Sequence, residues 1–365
     1  MTRLLDPSPV SPSRTKLSPA LQTPRLSVVI VNYCQWENTA ALVRQIRAAP
    51  ATRRGEVEVV IVDNHSPRHR LIAKLRRWPG VSLRRWGRNR GFARAVNEGC
   101  RLSRGQWYLI LNPDISLAPD FVQGVLDLAK EPVEQDSRAG IIGFQLHNQD
   151  GSEQLSAGFF PTLAGTLARL LLPRKRRKYL APKARSRCRV PWVTGCCLLI
   201  RRDCFLDLGG LDERFFLYYE DVDLCRRARA KGWTVWFEPH LHAVHHNPLH
   251  DRDVPHHLRL VTRHSLLTYS ARHWPGWQFR MLTGIIRLEA SLRRCWAWWR
   301  KDKQAADIYR QLDAIAVDLA RNDARAARNR LERVIRAHNP RARRLALGLA
   351  RSSQARRRVF EPAGS

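Results

Sequence analysis

The chain has 365 residues, 44% of them hydrophobic, which is enough to bury the core of one large domain or two ordinary ones and excludes a disordered tail or a disulfide-stapled miniature. Its 64 lysines and arginines outnumber 32 acidic residues, so the net charge is +32, and phosphorylated ligands, anionic lipid and nucleic acid are the partners to test first. The arginines are spread along the chain, so the charge alone does not choose among these partners.

The N-terminal segment, residues 1–24, contains five prolines among serine, threonine and arginine. This composition predicts a disordered leader and lacks the apolar segment of a secretion signal. No stretch of about 18 consecutive apolar residues occurs in the chain, so no bilayer-spanning helix is predicted. Eight cysteines without CxxC spacing indicate reduced, mostly buried thiols. We expect a cytoplasmic protein, or a peripheral one on the inner face of the cytoplasmic membrane.

Apolar runs separated by helical spacing follow the leader. Strands are predicted at 26–31, 57–62, 81–83 and 107–111, with helices at 39–48 and 92–101 between them. This repeated order predicts an α/β fold with a mostly parallel sheet and helices on both faces. Ligands of such sheets bind beyond the carboxyl ends of the strands, where Asn32, Asp63 and Asp114 stand in this chain.

The second half of the chain is less regular and then becomes helical. A strand is predicted at 196–200, and a basic run occupies 174–178. Ile308, Leu312, Ile315 and Leu319 follow at spacings of four, three and four, which is typical of one buried helix face. We therefore predict a leader at 1–24, an α/β domain at 25–254, a helical region at 255–340 and a basic tail at 341–365.

Two features of the C-terminal half allow two interpretations each. The tryptophans of the segment 295–300, with the arginine that follows them, fit an interfacial membrane anchor, and helix packing on the α/β domain explains them about as well. The arginine-rich stretch 321–360 fits either an anionic membrane surface or a solvated helix face with a basic tail.

Two acidic motifs carry the candidate chemistry. Asn112-Pro113-Asp114 places an amide and a carboxylate on a tight turn after a buried strand, which suits Mg²⁺ or Mn²⁺ on a diphosphate, although an ordinary Asx-turn explains the motif alone. Glu220, Asp221 and Asp223 follow an aromatic run at a predicted helix start. A carboxylate there can act as a general base, or the three can complement the helix dipole.

Seven sequence blocks in a fixed order resemble the family 2 glycosyltransferases of the GT-A fold, in particular their bacterial rhamnosyltransferase-like branch. The blocks are SVVIVNYCQWENT, VVIVDNHS, GRNRGFARAVNEG, YLILNPDISLAPD, VTGCCLLIRR, GGLDERFFLYYEDVDLCRR and the segment 233–246. The resemblance covers residues 26–250. It implies a nucleotide-diphospho-sugar transferase fold for the α/β domain, with the helical region as a C-terminal appendage.

The resemblance also implies roles for individual residues. On the donor side, Asn32 and Asp63 would hold the base and ribose, Asn89 and Gly91 would frame the donor pocket, and Asn112 would stand at the first position of a DxD-type motif. Asp114 would bind the divalent ion on the diphosphate, with His245 near the metal and the phosphate. Asp221 would be the catalytic base, and Glu220 would orient the acceptor or Asp221.

The function implied is an inverting, metal-dependent transfer of a sugar, with rhamnose favoured, from TDP-rhamnose or a UDP-sugar. The acceptor would be a polysaccharide or lipid-linked oligosaccharide in cell-envelope glycan synthesis, with Mg²⁺ or Mn²⁺ as cofactor and an anionic membrane surface as a further partner. One alternative is a basic nucleic-acid-binding protein, but no binding module is recognisable and we expect no specific nucleic acid partner. Another is a non-catalytic scaffold, against which the retained Asp114, Glu220 and Asp221 argue.

Overall fold

A computed structural model describes residues 23–130, 136–171, 186–246 and 255–337. The predicted basic tail, the basic run at 174–178 and nearly all of the predicted leader lie outside these residues.

The described chain forms strands and helices in alternation and then four long helices. The strands are β1 (Leu26–Asn32), β2 (Val57–Asp63), β3 (Val81–Arg85), β4 (Trp107–Leu111), β5 (Ile115–Leu117), β6 (Ala139–His147), β7 (Glu153–Gln154), β8 (Ala157–Gly158), β9 (Cys188–Arg189), β10 (Trp192–Val193), β11 (Cys197–Arg201) and β12 (Thr234–His245). The helices are α1 (Trp36–Ala48), α2 (Pro50–Arg53), α3 (Leu71–Arg76), α4 (Phe92–Leu102), α5 (Phe121–Lys130), α6 (Leu163–Leu171), α7 (Arg202–Asp207), α8 (Glu220–Ala230), α9 (His256–His273), α10 (Gly276–Trp299), α11 (Lys303–Ala320) and α12 (Ala324–Ala337).

The main sheet has the strand order β3-β2-β1-β4-β11-β6-β12-β5. Its first four strands are parallel, as predicted, and β1 lies at their centre between β2 and β4. Every residue of β1 is buried, because helices cover both faces of the sheet at this strand. This explains why its sequence is a nearly continuous apolar run and does not alternate between apolar and polar residues. The carboxyl ends of β1 and β2 therefore stand side by side, with Asn32 paired to Asp63 in the register.

The other half of the sheet is mixed rather than parallel. Strand β11 runs antiparallel to both β4 and β6, and β5 runs antiparallel to β12. The chain enters β11 beside the carboxyl end of β4, where the Asn112 N–H donates to the Cys196 carbonyl. This reversal brings the segment 194–196 to the same edge as the ends of β1 and β2, which local strand patterns could not reveal.

The core has three parts. One face of the sheet is covered by α1, α3 and α5, the other by α4, α7 and α8, and the third part lies among α9–α12. The four residues Ile308, Leu312, Ile315 and Leu319 are all buried in this third part, which confirms the interpretation of their spacing. Within the described ranges, no helix is long and apolar enough to cross a bilayer.

The helical region is joined to the α/β domain by polar contacts as well as by apolar packing. Asp223 of α8 is fully buried, and its carboxylate lies 2.7 Å from Arg227 Nε and 2.7 Å from His273 Nε2 of α9. Asp223 thus fixes α9 against α8 rather than facing a ligand. Two arginines of α8 are also anchored in the interior: Arg226 donates to the Tyr269 hydroxyl of α9, and Arg227 donates to the Gly210 carbonyl.

Candidate active site

The side chain of Asn32, at the end of β1, is fully buried and uses all of its hydrogen-bonding positions on the protein. Its amide donates to Asp63 Oδ1 at 3.0 Å and to Ser66 Oγ at 2.9 Å. Its carbonyl oxygen accepts from the Gln35 N–H and the Thr39 hydroxyl. In this arrangement no polar atom of the Asn32 side chain is free to bind a nucleotide. Asn32 instead orients the loops around it, whereas the resemblance implied direct contact with the base and ribose.

Asp63, at the end of β2, is also fully buried. Its Oδ2 accepts from Arg85 Nε at 2.8 Å, and its Oδ1 accepts from the Ser66 N–H at 3.0 Å. Arg85 belongs to β3 and stacks over the Trp36 ring with 5.7 Å to the centroid. The carboxylate predicted to read the base is thereby neutralised by an arginine that the sequence analysis did not single out.

The loop that contains Asn89 and Gly91 is held by Asn64, the residue after β2. Asn64 Nδ2 donates to the Gly91 carbonyl at 3.1 Å, and its Oδ1 accepts from the Arg90 N–H at 2.8 Å. Asn89 Oδ1 accepts from the Gly91 N–H, which closes a tight turn before α4. The predicted donor-pocket residues are therefore fixed to the end of β2.

Gly91 is required by both conformation and space. Its φ is +91°, and a Cβ at this position would lie 2.7 Å from the Phe216 carbonyl oxygen. The adjacent Phe92 N–H donates to that same carbonyl. The loop before α4 is consequently in direct contact with the loop before α8, the helix whose first turn carries the predicted base.

Arg328 of α12 joins these two loops and was missed by the sequence analysis. Its Nη2 donates to the Arg90 carbonyl at 2.7 Å, and its guanidinium lies 4.8 Å from the centroid of the Phe216 ring. It is buried and forms an ion pair with Glu332 at 3.1 Å. Its position in the sequence could have indicated burial, because Arg328 stands three residues before Leu331 and seven before Ile335. This spacing puts it on the apolar face of the helix, which the pattern assigns to the interior.

Asp114 follows the end of β4 and is buried, and its Oδ1 has no hydrogen-bond partner. His245, at the end of β12, places Nε2 at 3.6 Å from that oxygen. The other ring nitrogen of His245 lies 3.0 Å from the side-chain nitrogen of Gln154, which orients the ring. Two residues that stand 131 positions apart in the sequence, both predicted as metal ligands, therefore meet around a buried oxygen that lacks a partner.

Asp221, in the first turn of α8, lies across from the segment 194–196. Its Oδ2 accepts from the Gly195 N–H at 2.8 Å, and its Oδ1 accepts from the Val222 N–H. Burial raises the pKa of the Asp221 carboxyl above its ordinary value, and these backbone hydrogen bonds oppose the rise. The Asn112 N–H donates to the Cys196 carbonyl, next to Gly195, so Asp221 and the turn that carries Asp114 both contact the segment 194–196. The predicted cation ligand Asp114 and the predicted base Asp221 thus lie at the same edge of the sheet.

Glu220 is buried, and its Oε2 has no hydrogen-bond partner. Burial, followed by the neighbouring charge of Asp221, raises the pKa of this carboxyl well above its usual range. The two residues before it, Tyr218 and Tyr219, have φ of 72° and 68°, a left-handed conformation that costs free energy for residues with a Cβ. Two consecutive tyrosines in this conformation set the direction in which α8 begins.

Two clefts formed by described residues are lined by none of the residues at this edge. One of about 340 Å³ contains Asn97, Asp212 and Arg272, and another of about 420 Å³ contains Trp107 and Arg202. Neither contains any of the predicted site residues. The convergent polar groups at the strand ends, with their unpartnered carboxylate oxygens, are a stronger mark of chemistry than cleft size.

The family model of glycosyl transferase family 2 covers residues 27–209, half of the chain, and includes the ends of β1, β2 and β4. The chain belongs to glycosyl transferase family 2. It is 32% identical over 259 residues to the N-acetylglucosaminyl-diphospho-decaprenol L-rhamnosyltransferase of Mycobacterium tuberculosis, an alignment that covers 65% of this chain and 82% of that protein.

Two further similarities accompany the family match. The low-salt glycan biosynthesis hexosyltransferase Agl10 of Haloferax volcanii is 29% identical over 233 residues, which cover 61% of this chain and 68% of that protein. The solved structure of GalNAc-T7 with UDP, GalNAc and Mn²⁺ has a TM-score of 0.48 at 20% identity and covers 62% of this chain and 45% of that one.

The family assignment confirms the resemblance carried by the seven sequence blocks, including its rhamnosyltransferase-like character. The protein is a glycosyltransferase of the GT-A type, with a mixed sheet between helices and a C-terminal helical region.

Proposed function

We propose that this glycosyltransferase transfers a sugar, with rhamnose favoured, from a nucleoside-diphosphate donor to a polysaccharide or lipid-linked oligosaccharide, with inversion at the anomeric carbon. The observation that carries the proposal is the buried, unpartnered oxygen of Asp114, which lies beside His245 at the edge that also bears Asp221. A metal clamp and a base are the two parts that such a transfer needs.

The residues at this edge fit a divalent cation. Asp114 Oδ1 is buried without a partner and faces the Nε2 atom of His245, so the two side chains would hold the ion. No cluster of three histidine, cysteine or acidic ligands occurs among the described residues. Two protein ligands suit Mg²⁺ or Mn²⁺, which keep waters and bind substrate phosphates, better than a structural zinc site. When bound, the ion would neutralise charge on the leaving diphosphate.

Asp221 is proposed as the base. An acceptor hydroxyl gives its proton to the Asp221 carboxylate, its oxygen forms a bond to the anomeric carbon, and the bond from that carbon to the diphosphate oxygen breaks. The nucleoside diphosphate leaves with the electron pair of that bond. A single displacement without a covalent sugar on the enzyme gives inversion. The Gly195 and Val222 N–H groups fix the orientation of both carboxylate oxygens of Asp221.

The donor side is proposed to use the loop at Asn89 and Gly91 together with the Asp63 network, in which Asn32 has a positioning role. Asn112 would approach the donor from the turn that also carries Asp114, since its side chain is partly exposed there. The rhamnosyltransferase relative supports rhamnose as the sugar. TDP-rhamnose is the donor that we propose, and a UDP-sugar is the second candidate. The N-acetylglucosaminyl-diphospho-decaprenol in that relative's name supports a lipid-linked acceptor, and we propose that the chain acts in cell-envelope glycan synthesis at the inner face of the cytoplasmic membrane.

The test is thermal stabilisation of the purified chain by TDP, UDP, GDP and CDP, each with Mn²⁺, Mg²⁺ or EDTA. A nucleotide at a hundred times its Kd should stabilise the protein by about 2.7 kcal/mol. We expect one nucleotide to act in a metal-dependent way, and Asp114→Asn to abolish the effect. The matched control is Asp120→Asn, an exposed aspartate of the same segment. Metal-independent shifts, or equal loss in both variants, would contradict the assignment.

A further inference from the structure

An uncovered apolar face runs along α10. Seven of the ten exposed large hydrophobic side chains in the described part of the chain belong to this helix: Trp277, Met281, Leu288, Leu292, Trp296, Trp298 and Trp299. Leu288 and Leu292 are 61% and 62% exposed, and Trp298 is 80% exposed. Single exposed hydrophobic residues are ordinary, whereas a concentration on one element indicates an interaction surface.

Five of these side chains lie in one stripe along the helix. At about 100° per residue, Trp277, Met281, Leu288, Leu292 and Trp299 fall within an arc of about 60°, and they extend over about 33 Å of helix. The buried residues of α10, which include Leu282, Ile286 and Ala290, lie on the opposite side against α9 and α11. The helix therefore has two apolar faces, of which the four-helix region covers only one.

One border of the stripe and its C-terminal end are basic. Arg280, Arg287 and Arg294 recur every seven residues along this border, and Arg300, Lys301 and Lys303 follow at the end. Of the three border arginines, Arg287 is paired with Asp313 at 2.8 Å. Glu289, the single acidic residue of α10, is paired with Arg263 and Arg293 at 2.9 Å each. A second copy of the chain on this face would bring like charges together, whereas an anionic surface would neutralise them.

We infer that the exposed face of α10 binds the surface of an anionic phospholipid bilayer, with its apolar stripe in the interface and its arginines at the headgroups. Tryptophan at the end of such a helix suits the boundary between lipid headgroups and acyl chains, because its ring is amphipathic. Nearby cations add attraction to anionic lipid. The inference rests on the proposed function in one respect: a lipid-linked acceptor would require the enzyme to bind the membrane. The inference adds that α10 is the element that makes this contact.

The experiment is co-sedimentation of the full chain with vesicles of phosphatidylcholine, alone or with about 30% phosphatidylglycerol, at about 0.1 M salt. We expect binding to the anionic vesicles, and a loss of at least tenfold in partitioning for the double variant Leu288→Ser/Leu292→Ser. The matched control is Leu206→Ser/Phe159→Ser, which removes two residues of similar exposure elsewhere, 61% and 59%. Arg280→Gln/Arg294→Gln should weaken binding to the anionic vesicles and flatten its salt dependence.

The outcomes are separable from those of the proposed function. Nucleotide-dependent stabilisation should be unchanged in Leu288→Ser/Leu292→Ser, so a failed donor site and a failed membrane surface give different results. Absence of vesicle binding by the wild-type chain, or an equal loss in the control variant, overturns the inference. A concentration-dependent dimer that the double variant abolishes, without vesicle binding, assigns the face to a second copy instead.

Discussion

At the scale of single residues, Glu220 and Asp221 are neighbours in sequence with different environments. Asp221 is partly exposed and accepts two backbone N–H groups, whereas Glu220 is buried with an unpartnered oxygen. Hydrogen bonds from N–H groups favour the charged form of a carboxyl, and burial without partners favours the neutral form. The environments thus distinguish the proposed base from a neighbouring carboxyl whose pKa burial raises well above its usual range.

Asp221→Asn should lower kcat by about 10²–10⁴-fold, the usual range for loss of a general base. The amide is isosteric and still presents one oxygen to the backbone, so nucleotide-dependent stabilisation should persist. Because burial raises the pKa of Asp221, the acidic limb of the wild-type kcat/KM profile should lie above the value of about 3.9 for an ordinary aspartate. A steady-state pH profile measures this; an unchanged kcat in the variant would remove Asp221 from the reaction.

Glu220→Gln should stabilise the fold at neutral pH. The unfolded carboxyl ionises near pH 4.3, and the folded pKa is raised, so the wild type loses stability as pH rises above the unfolded value. The variant has no such loss, and its advantage should reach about 1 kcal/mol or more at pH 7 and vanish below pH 4. Thermal unfolding across this range provides the measurement, with the exposed Glu153→Gln as control. A variant that is less stable at pH 7 would show that Glu220 is ionised in the fold.

At the scale of elements, the loop before α4 and the loop before α8 are in contact through a glycine. Gly91→Ala should lower stability by about 2 kcal/mol, because φ of +91° and a carbonyl oxygen at 2.7 Å both oppose a Cβ. Gly87→Ala, four residues earlier in the same loop, meets nothing within 4 Å and should be neutral. Chemical denaturation of both variants, together with nucleotide affinity, separates strain at Gly91 from a general sensitivity of the loop.

The four strands of the first 111 residues and the helices α1 and α4 could be predicted to within a few residues, because apolar runs ending in Asn32, Asp63 and Asn112 carry a strong local signal. The short helices α2 and α3 were not predicted. The antiparallel entry of β11 could not, since neither its period nor its composition encodes direction. The same limit applies to the site. Motif order predicted Asp114 after a strand and Asp221 at the start of a helix, which is where the structure has them. The four hydrogen bonds that occupy Asn32, in contrast, depend on partners from two separate segments, 35–39 and 63–66.

At the scale of the whole molecule, the C-terminal helices take part in the construction of the site. Arg328 and Glu332 stand four residues apart, and on most helices two opposite charges at this spacing form an ion pair exposed to solvent. Here both side chains are buried, so the pair belongs to the interior of the molecule. Local patterning could not reveal that α12 reaches the Arg90 carbonyl, which is 238 residues away. The proposed boundary near residue 254 therefore separates two regions of sequence that are joined in structure.

Arg328→Met should destabilise the chain by about 2–4 kcal/mol, since it removes a buried ion pair and leaves Glu332 with a weaker partner. It should also weaken nucleotide binding, because the loop at Gly91 loses its contact with α12. Arg333→Met, an exposed arginine of the same helix, is the control. Denaturant unfolding and nucleotide titration are the two measurements. Unchanged nucleotide affinity in a folded Arg328→Met variant would restrict Arg328 to a structural role.

The separation between Arg90 and Arg328 also has a consequence for biosynthesis. Chains fold as they emerge from the ribosome, N-terminal parts first, at about 5–20 residues per second. The sheet and the loop at Gly91 can form early, whereas the hydrogen bond from Arg328 must wait until α12 has left the ribosome. A nascent polypeptide thus carries the sheet for several seconds before Arg328 secures the loop at Gly91.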